Sequence, residues 1–76
     1  MRRAEIRTTH DSPERVANAL RPDNTDEMTT RVEDGAVVTT VERDTTGGLQ
    51  ATVDDYVVNL RVAAQLANND TRSNNE

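Results

Sequence analysis

Five stretches of the chain show regular patterns of apolar and polar residues. Residues 3–9 alternate with period two, the pattern of a strand with one exposed face. Residues 28–43 form two β-branched runs separated by Asp34-Gly35, a dipeptide typical of a two-residue hairpin turn. Residues 13–20 and 49–67 place apolar residues three and four apart, which indicates helices. This order predicts an α+β two-layer sandwich, β-α-β-β-α, in which a three-stranded antiparallel sheet carries both helices on one face.

The ends of the first helix are predicted by residues with known positional preferences. Ser12 is a favoured N-cap, and Pro13 suits the first helical position because its nitrogen would have no intrahelical partner there. Pro22 disfavours helical geometry at the preceding Arg21, so we expect the helix to end near Leu20.

The second helix has apolar residues on two sides. At about 100° per residue, one broad stripe contains Leu49, Val53, Tyr56, Val57, Leu60, Ala63, Ala64 and Ala67. We call the roughly opposite set, Ala51, Val58, Val62 and Leu66, the outer stripe. An ordinary amphipathic helix would carry charged residues on this side. Here the side is mainly apolar and is interrupted by Asp55. Since one sheet covers only one side of a helix, the outer stripe predicts a dimer or partner interface.

Length and composition predict one small domain. The chain has 76 residues, no Cys, Trp or Phe, and Tyr56 as its only aromatic residue. Small scaffolds with so little large apolar surface commonly depend on oligomerisation. Residues 1–67 are predicted to form the domain, and the polar residues 68–76 are predicted to be a disordered tail.

The charge of the chain bears on its host and its partners. The formal net charge is −5, and all nine basic residues are Arg. An acidic, lysine-free chain suggests a host adapted to high salt, and it weighs against a free-standing nucleic-acid binder. The N-terminus lacks the apolar core of a signal peptide, and no segment reaches the length of a membrane span. We therefore expect a soluble cytoplasmic protein that does not bind a membrane.

The residues that could carry chemistry favour structural interpretations. His10 is the only histidine, and without cysteine the chain has little from which to build a nucleophile and base pair. Asp54 and Asp55 are adjacent in a helix and so point about 100° apart, which prevents a shared site. Gly47-Gly48 precedes the second helix without the lysine of a phosphate-binding loop. The sequence predicts no catalytic residue, no cofactor and no metal site.

Four arginines on predicted strands leave two interpretations open: Arg3, Arg7, Arg31 and Arg43. If they converge on the exposed sheet face, they could contact RNA phosphates in a complex. They could instead form cross-strand ion pairs with Glu5, Glu33 and Glu42. Ion pairing is the favoured interpretation, because charged pairs are usual on the exposed face of a sheet.

Three segments carry a resemblance to a known family. They read AEIRTTH, PERVANALRPDN and AVVTTVERDTTGGLQATVDDYVVNLRVAAQLA, and they cover nearly the whole chain apart from the polar tail. Their order and wording resemble the Pcc-type small subunit of the KEOPS complex, the archaeal and eukaryotic machinery for threonylcarbamoyl modification of tRNA. The most specific parts are the turn at residues 20–24 and the closing helix with Val53, Tyr56 and Leu60.

The resemblance implies a noncatalytic subunit that forms a homodimer and binds the kinase-like ATPase subunit responsible for threonylcarbamoyl transfer. It also implies that helices of the two subunits pack together, with tRNA as a candidate partner within the complex. The alternative is a stand-alone KH-like RNA-binding module, which the acidic charge and the lack of a basic Gly-x-x-Gly loop disfavour. A transcription factor is a third interpretation, but no base-reading recognition helix supports it.

Overall fold

The protein folds as one antiparallel sheet with both helices on one face. The computed structural model describes the backbone of residues 1–73 and the side chains of residues 1–67. The elements are β1 (Arg2–Thr9), α1 (Pro13–Leu20), a 3₁₀ turn (Arg21–Asp23), β2 (Met28–Glu33), β3 (Ala36–Arg43) and α2 (Thr46–Ser73). The strand order is β1-β3-β2. The predicted fold class and element order are confirmed.

The tight hairpin between β2 and β3 sets the register of the sheet. Asp34 has φ 51° and Gly35 has φ 79°, the left-handed geometry that a type I′ turn requires at both central residues. Glu33 therefore pairs with Ala36. β1 adds to the other edge of β3 in antiparallel register, which makes β3 the central strand.

β3 is buried on both of its faces, for two different reasons. Val37, Thr39 and Val41 face the helices, as the alternation predicts. Val38 faces the opposite side of the sheet and is nonetheless fully buried. Arg7 and Arg31 flank Val38 in register on the neighbouring strands, so their long aliphatic stems cover it.

The core lies between the sheet and the two helices. It contains Val16, Ala17, Leu20, Val37, Tyr56, Leu60, Ala63 and Ala67. Ile6, Met28 and Val32 pack against this cluster from the inner face of the sheet. Because most of these side chains are small, each core residue buries little apolar area. Hydrogen bonds therefore become more important in holding α2 in place.

The first helix ends where predicted, but the geometry at its ends differs from the expectation. Ser12 occupies the N-cap position without a side-chain hydrogen bond, and its carbonyl accepts the N–H of Val16 at 3.2 Å. Arg21 keeps helical backbone angles, φ −54° and ψ −40°. The chain passes directly into the 3₁₀ turn, whose first positions accommodate Pro22 because no intrahelical N–H is needed there.

α2 continues past the predicted domain boundary at residue 67 and ends at Ser73. The predicted tail at residues 68–76 therefore overlaps the last part of this helix, residues 74–76 lie outside the described part of the chain, and the disorder of the tail stays a prediction. Within the part of the chain that was described, none of the helices has the length and apolarity needed to cross a membrane.

Candidate interaction surface

The outer stripe lies on the side of α2 that faces away from the sheet. Val58 is 60% exposed, Val62 51% and Leu66 54%, and Ala51 is exposed as well. Val58, Val62 and Leu66 follow one another at intervals of four, so they form a continuous ridge along the helix. The structure brings together the four residues that the sequence predicts as an interface.

Charged residues border this apolar ridge. Asp54 and Asp55 are exposed at its N-terminal end, and Arg61 is exposed beside its centre. An apolar centre with a charged rim is the usual anatomy of a protein–protein interface. The chemistry available on this surface is therefore contact with another apolar surface, with charges that can set the orientation of a partner.

The opposite side of α2 differs in two places from the predicted inner stripe. Val57 is 37% exposed and lies outside the core, because it falls at the edge of the buried arc. Thr52 is buried, although the sequence pattern did not mark it as a core residue. Its position one turn before Tyr56 is the signal that could have found it, since residues four apart share a helix face.

A chain of hydrogen bonds joins α2 to the sheet. The hydroxyls of Tyr56 and Thr39 are 2.6 Å apart, and those of Thr39 and Thr30 are 2.9 Å apart. Asn24, which follows the 3₁₀ turn, donates from Nδ2 to Thr30 Oγ1 at 2.7 Å. Burial raises the pKa of the Tyr56 phenol, and the hydrogen bond with Thr39 partly offsets that rise.

Arg43 makes the second polar connection between β3 and α2. Its Nη1 donates to Thr52 Oγ1 at 2.6 Å, and its Nε lies 4.0 Å from a carboxylate oxygen of Glu27. The guanidinium lies close to the first turn of α2. A Cβ added to Gly48 in that turn would be only 3.1 Å from Nη2 of Arg43. Thr45 caps that turn by accepting the N–H of Gly48 at 2.9 Å. Arg43 is therefore a structural residue on the helix side of the sheet.

The four arginines proposed for phosphate contact do not share one face. Register places Arg3, Arg7 and Arg31 on the outer face of the sheet, whereas Arg43 faces the helices. The favoured cross-strand ion pairs are present for two of them, since Arg7 lies 3.3 Å from Glu33 and Arg31 lies 3.5 Å from Glu5. Arg31 also lies 3.1 Å from Glu33 on its own strand.

These pairs reduce the positive charge of the outer face. Since Arg31 contacts both Glu5 and Glu33, two arginines and two glutamates form one connected group of ion pairs. The hydrogen bond from Arg31, its charge and the bond from Arg7 lower the pKa of Glu33. The contacts are solvent-exposed and hence screened by salt.

Two surface grooves lie on either side of α1 in the described part of the chain. One, of about 340 Å³, lies between the end of β1 and α2 and is lined by Thr9, His10, Asp11, Ser12, Val16, Ala64 and Ala67. The other, of about 480 Å³, lies between α1 and β2 and is lined by Glu14, Asn18, Arg21, Thr30, Arg31 and Val32. Nowhere in the described part do three or more acidic or histidine side chains cluster so as to hold a metal ion.

The comparisons with known proteins add nothing to these observations. No protein-family model, curated protein or solved structure matches the chain.

Proposed function

We propose that this protein is a noncatalytic, dimerising subunit of a KEOPS-type complex. It binds the ATPase-like subunit that transfers the threonylcarbamoyl group and thereby supports modification of tRNA in the cytoplasm of a halophilic archaeon. The observation that carries the proposal is the exposure of the outer stripe on a helix whose other side is already packed against the sheet.

The shape of the outer stripe fits a helical partner. A ridge formed by residues four apart fits between the corresponding ridges of a second helix, the commonest way in which helices pack. The resemblance to the Pcc-type subunit implies the same kind of contact. The continuous ridge of the outer stripe runs over nine residues, from Val58 to Leu66. It is about 12 Å long, which matches two turns of a partner helix.

The chemistry of the contact suits high salt. Apolar burial contributes about 25 cal/mol per Å² and does not depend on charge, whereas exposed ion pairs are screened. With a net charge of −5, the protein gains little from electrostatic attraction to RNA. Because Arg7 and Arg31 are paired with glutamates, a stand-alone RNA-binding module is less well supported than a protein-binding subunit.

Binding to the purified ATPase-like subunit of an archaeal KEOPS complex tests the proposal. We expect the unaltered chain to bind in molar salt, and Val62→Asp to lose binding while remaining folded, because the new carboxylate would be buried unpaired. Gln50→Asp is the matched control, since Gln50 is exposed on α2 but lies outside the outer stripe. Equal binding by the Val62→Asp and Gln50→Asp variants, or no binding by the unaltered chain, would contradict the proposal.

A further inference from the structure

α2 offers two sides that could each be buried against the sheet. In its C-terminal half, the buried side presents Leu60, Ala63 and Ala67, whereas the exposed side presents Val62 and Leu66, a set of similar apolar size. Apolar burial is non-directional and roughly proportional to area. Burial alone therefore does not select the observed side of this half of the helix.

Two hydrogen bonds distinguish the sides. On α2, Thr52 and Tyr56 are one turn apart on the same face. On β3, their partners are Arg43 and Thr39 in the reverse order, so the helix runs antiparallel to the strand. Because the two hydrogen bonds are one helical turn apart along α2, together they fix the rotation of α2 about its axis and its position along β3.

The side chains in these bonds would lose partners if α2 turned. Tyr56 and Thr39 are almost completely buried, and Thr52 is only 8% exposed. Turning α2 would break both of these hydrogen bonds, a loss that apolar contacts on the other side of the helix do not replace. Asn24 and Thr30 continue the chain of hydrogen bonds to the turn after α1, which anchors the Thr39 hydroxyl from its other side.

We infer that the pairs Thr39–Tyr56 and Arg43–Thr52 form a polar clamp that selects which side of α2 packs on the sheet and so keeps the outer stripe available to a partner. Its members are positioning residues, which act through the orientation of α2. The use of the stripe by a partner rests on the proposed function, whereas the selection of the side is a property of this chain alone.

Cysteine probes test the clamp, because the natural chain contains no cysteine. Leu60→Cys places a thiol on the buried side, and Val62→Cys places one on the exposed side. The rate of alkylation of each thiol is measured with the clamp intact and in a clamp-free background carrying Thr39→Val, Thr52→Val and Tyr56→Phe. These replacements remove the hydroxyls and nearly preserve shape. Rates are extrapolated to infinite dilution, so that association of the stripe does not contribute.

With the clamp intact, we expect the thiol at position 62 to react at least ~10-fold faster than the thiol at position 60, as protection by local structure predicts. In the clamp-free background the ratio should fall to within about threefold, with helical circular dichroism retained. A control background with Thr39→Ser and Thr52→Ser keeps the hydroxyls and should keep the original ratio.

An unchanged ratio in the clamp-free background would overturn the inference. So would unfolding of that background, because the bonds would then be needed for the fold itself and not for the choice of side, and so would loss of the ratio in the serine control. Failure of the proposed function is seen separately, as a lack of binding to the ATPase-like subunit while the thiol ratio behaves as expected.

Discussion

At the scale of single residues, Tyr56 offers a direct optical test of the buried hydroxyl chain. It is the only tyrosine, and the chain has no tryptophan, so tyrosinate absorbance reports this one group. Burial raises its pKa, so we expect a titration midpoint above 10.0. Thr39→Val should raise the midpoint further, because the bond that favours the tyrosinate is lost.

The same shift has a consequence for stability. The pKa of Tyr56 is higher in the folded chain than in the unfolded chain, so protonated Tyr56 contributes to the free energy of unfolding. This contribution is fully present below pH 10.0 and is lost as the pH rises through the folded pKa. Chemical denaturation in alkaline buffers should show this loss in the unaltered chain and its absence in Tyr56→Phe. A midpoint at or below 10.0 would mean that the phenol is not buried as described.

Gly35 and Gly47 form a matched pair for testing the hairpin turn. A Cβ built on either glycine meets no other part of the fold within 4 Å, apart from the chain neighbours and, for Gly47, the backbone of its own helix, but only Gly35 has a positive φ. Gly35→Ala should lower the free energy of unfolding by about 1 kcal/mol through backbone strain alone. Gly47→Ala should raise it by up to ~0.5 kcal/mol, because alanine favours the helix. Equal effects in thermal melts would contradict the type I′ turn.

Sequence periodicity identified the exposed side of α2 correctly at Val58, Val62 and Leu66. It missed the role of Thr52 and included Val57, because periodicity assigns residues to a side only within a broad arc. The hydroxyl partners of Thr39 and Thr52 depend on how the helix and strand are aligned in three dimensions. No local pattern contains that information.

At the scale of elements, three substitutions on α2 separate core from interface. Leu60 is 9% exposed, so Leu60→Asp should cost ~3 kcal/mol or more and unfold this small domain. Val58→Asp and Val62→Asp place the carboxylate in water and should leave the melting temperature of the single chain nearly unchanged. They should abolish dimerisation or partner binding.

Circular dichroism melts at matched salt, together with binding assays, give the comparison. If Val58→Asp and Val62→Asp melt as early as Leu60→Asp, the outer stripe is part of the core and cannot be an interface. The test is sharp because positions 58, 60 and 62 share one helix and one kind of substitution, and differ mainly in the side that they face.

The boundaries of the elements were predictable where a residue has only one suitable geometry. Asp34-Gly35 fixes the hairpin, and the structure follows it. Pro22 predicted the end of α1 correctly, but the expected loss of helical geometry at Arg21 was wrong. A 3₁₀ turn accepts proline in its first positions as readily as an extended segment does. The end of α2 was predicted less well, because Asn and Asp are weak helix formers but do not exclude a helix.

At the scale of the whole molecule, we expect a homodimer in molar salt. A stable interface buries about 1,200–2,000 Å² in total, and the exposed ridge on α2 would lie within it. Light scattering over a range of concentrations checks this, with Val62→Asp as the control that should remain monomeric. A single-chain mass at every concentration would contradict the prediction.

The position of β3 at the centre of the sheet also has a consequence for the order of folding. β3 pairs with β2 through a two-residue turn, which is a local contact. Its pairing with β1 must instead bring together strands that are separated in the chain by α1, the 3₁₀ turn and β2. Closing that longer loop costs more entropy, so we expect the hairpin to form in the transition state and β1 to join later. Val32→Ala, opposite Val37, should therefore mainly slow refolding, whereas Ile6→Val, opposite Thr39, should mainly accelerate unfolding in stopped-flow experiments. If Ile6→Val mainly slowed refolding and Val32→Ala mainly accelerated unfolding, the pairing of β1 with β3 would form before the hairpin.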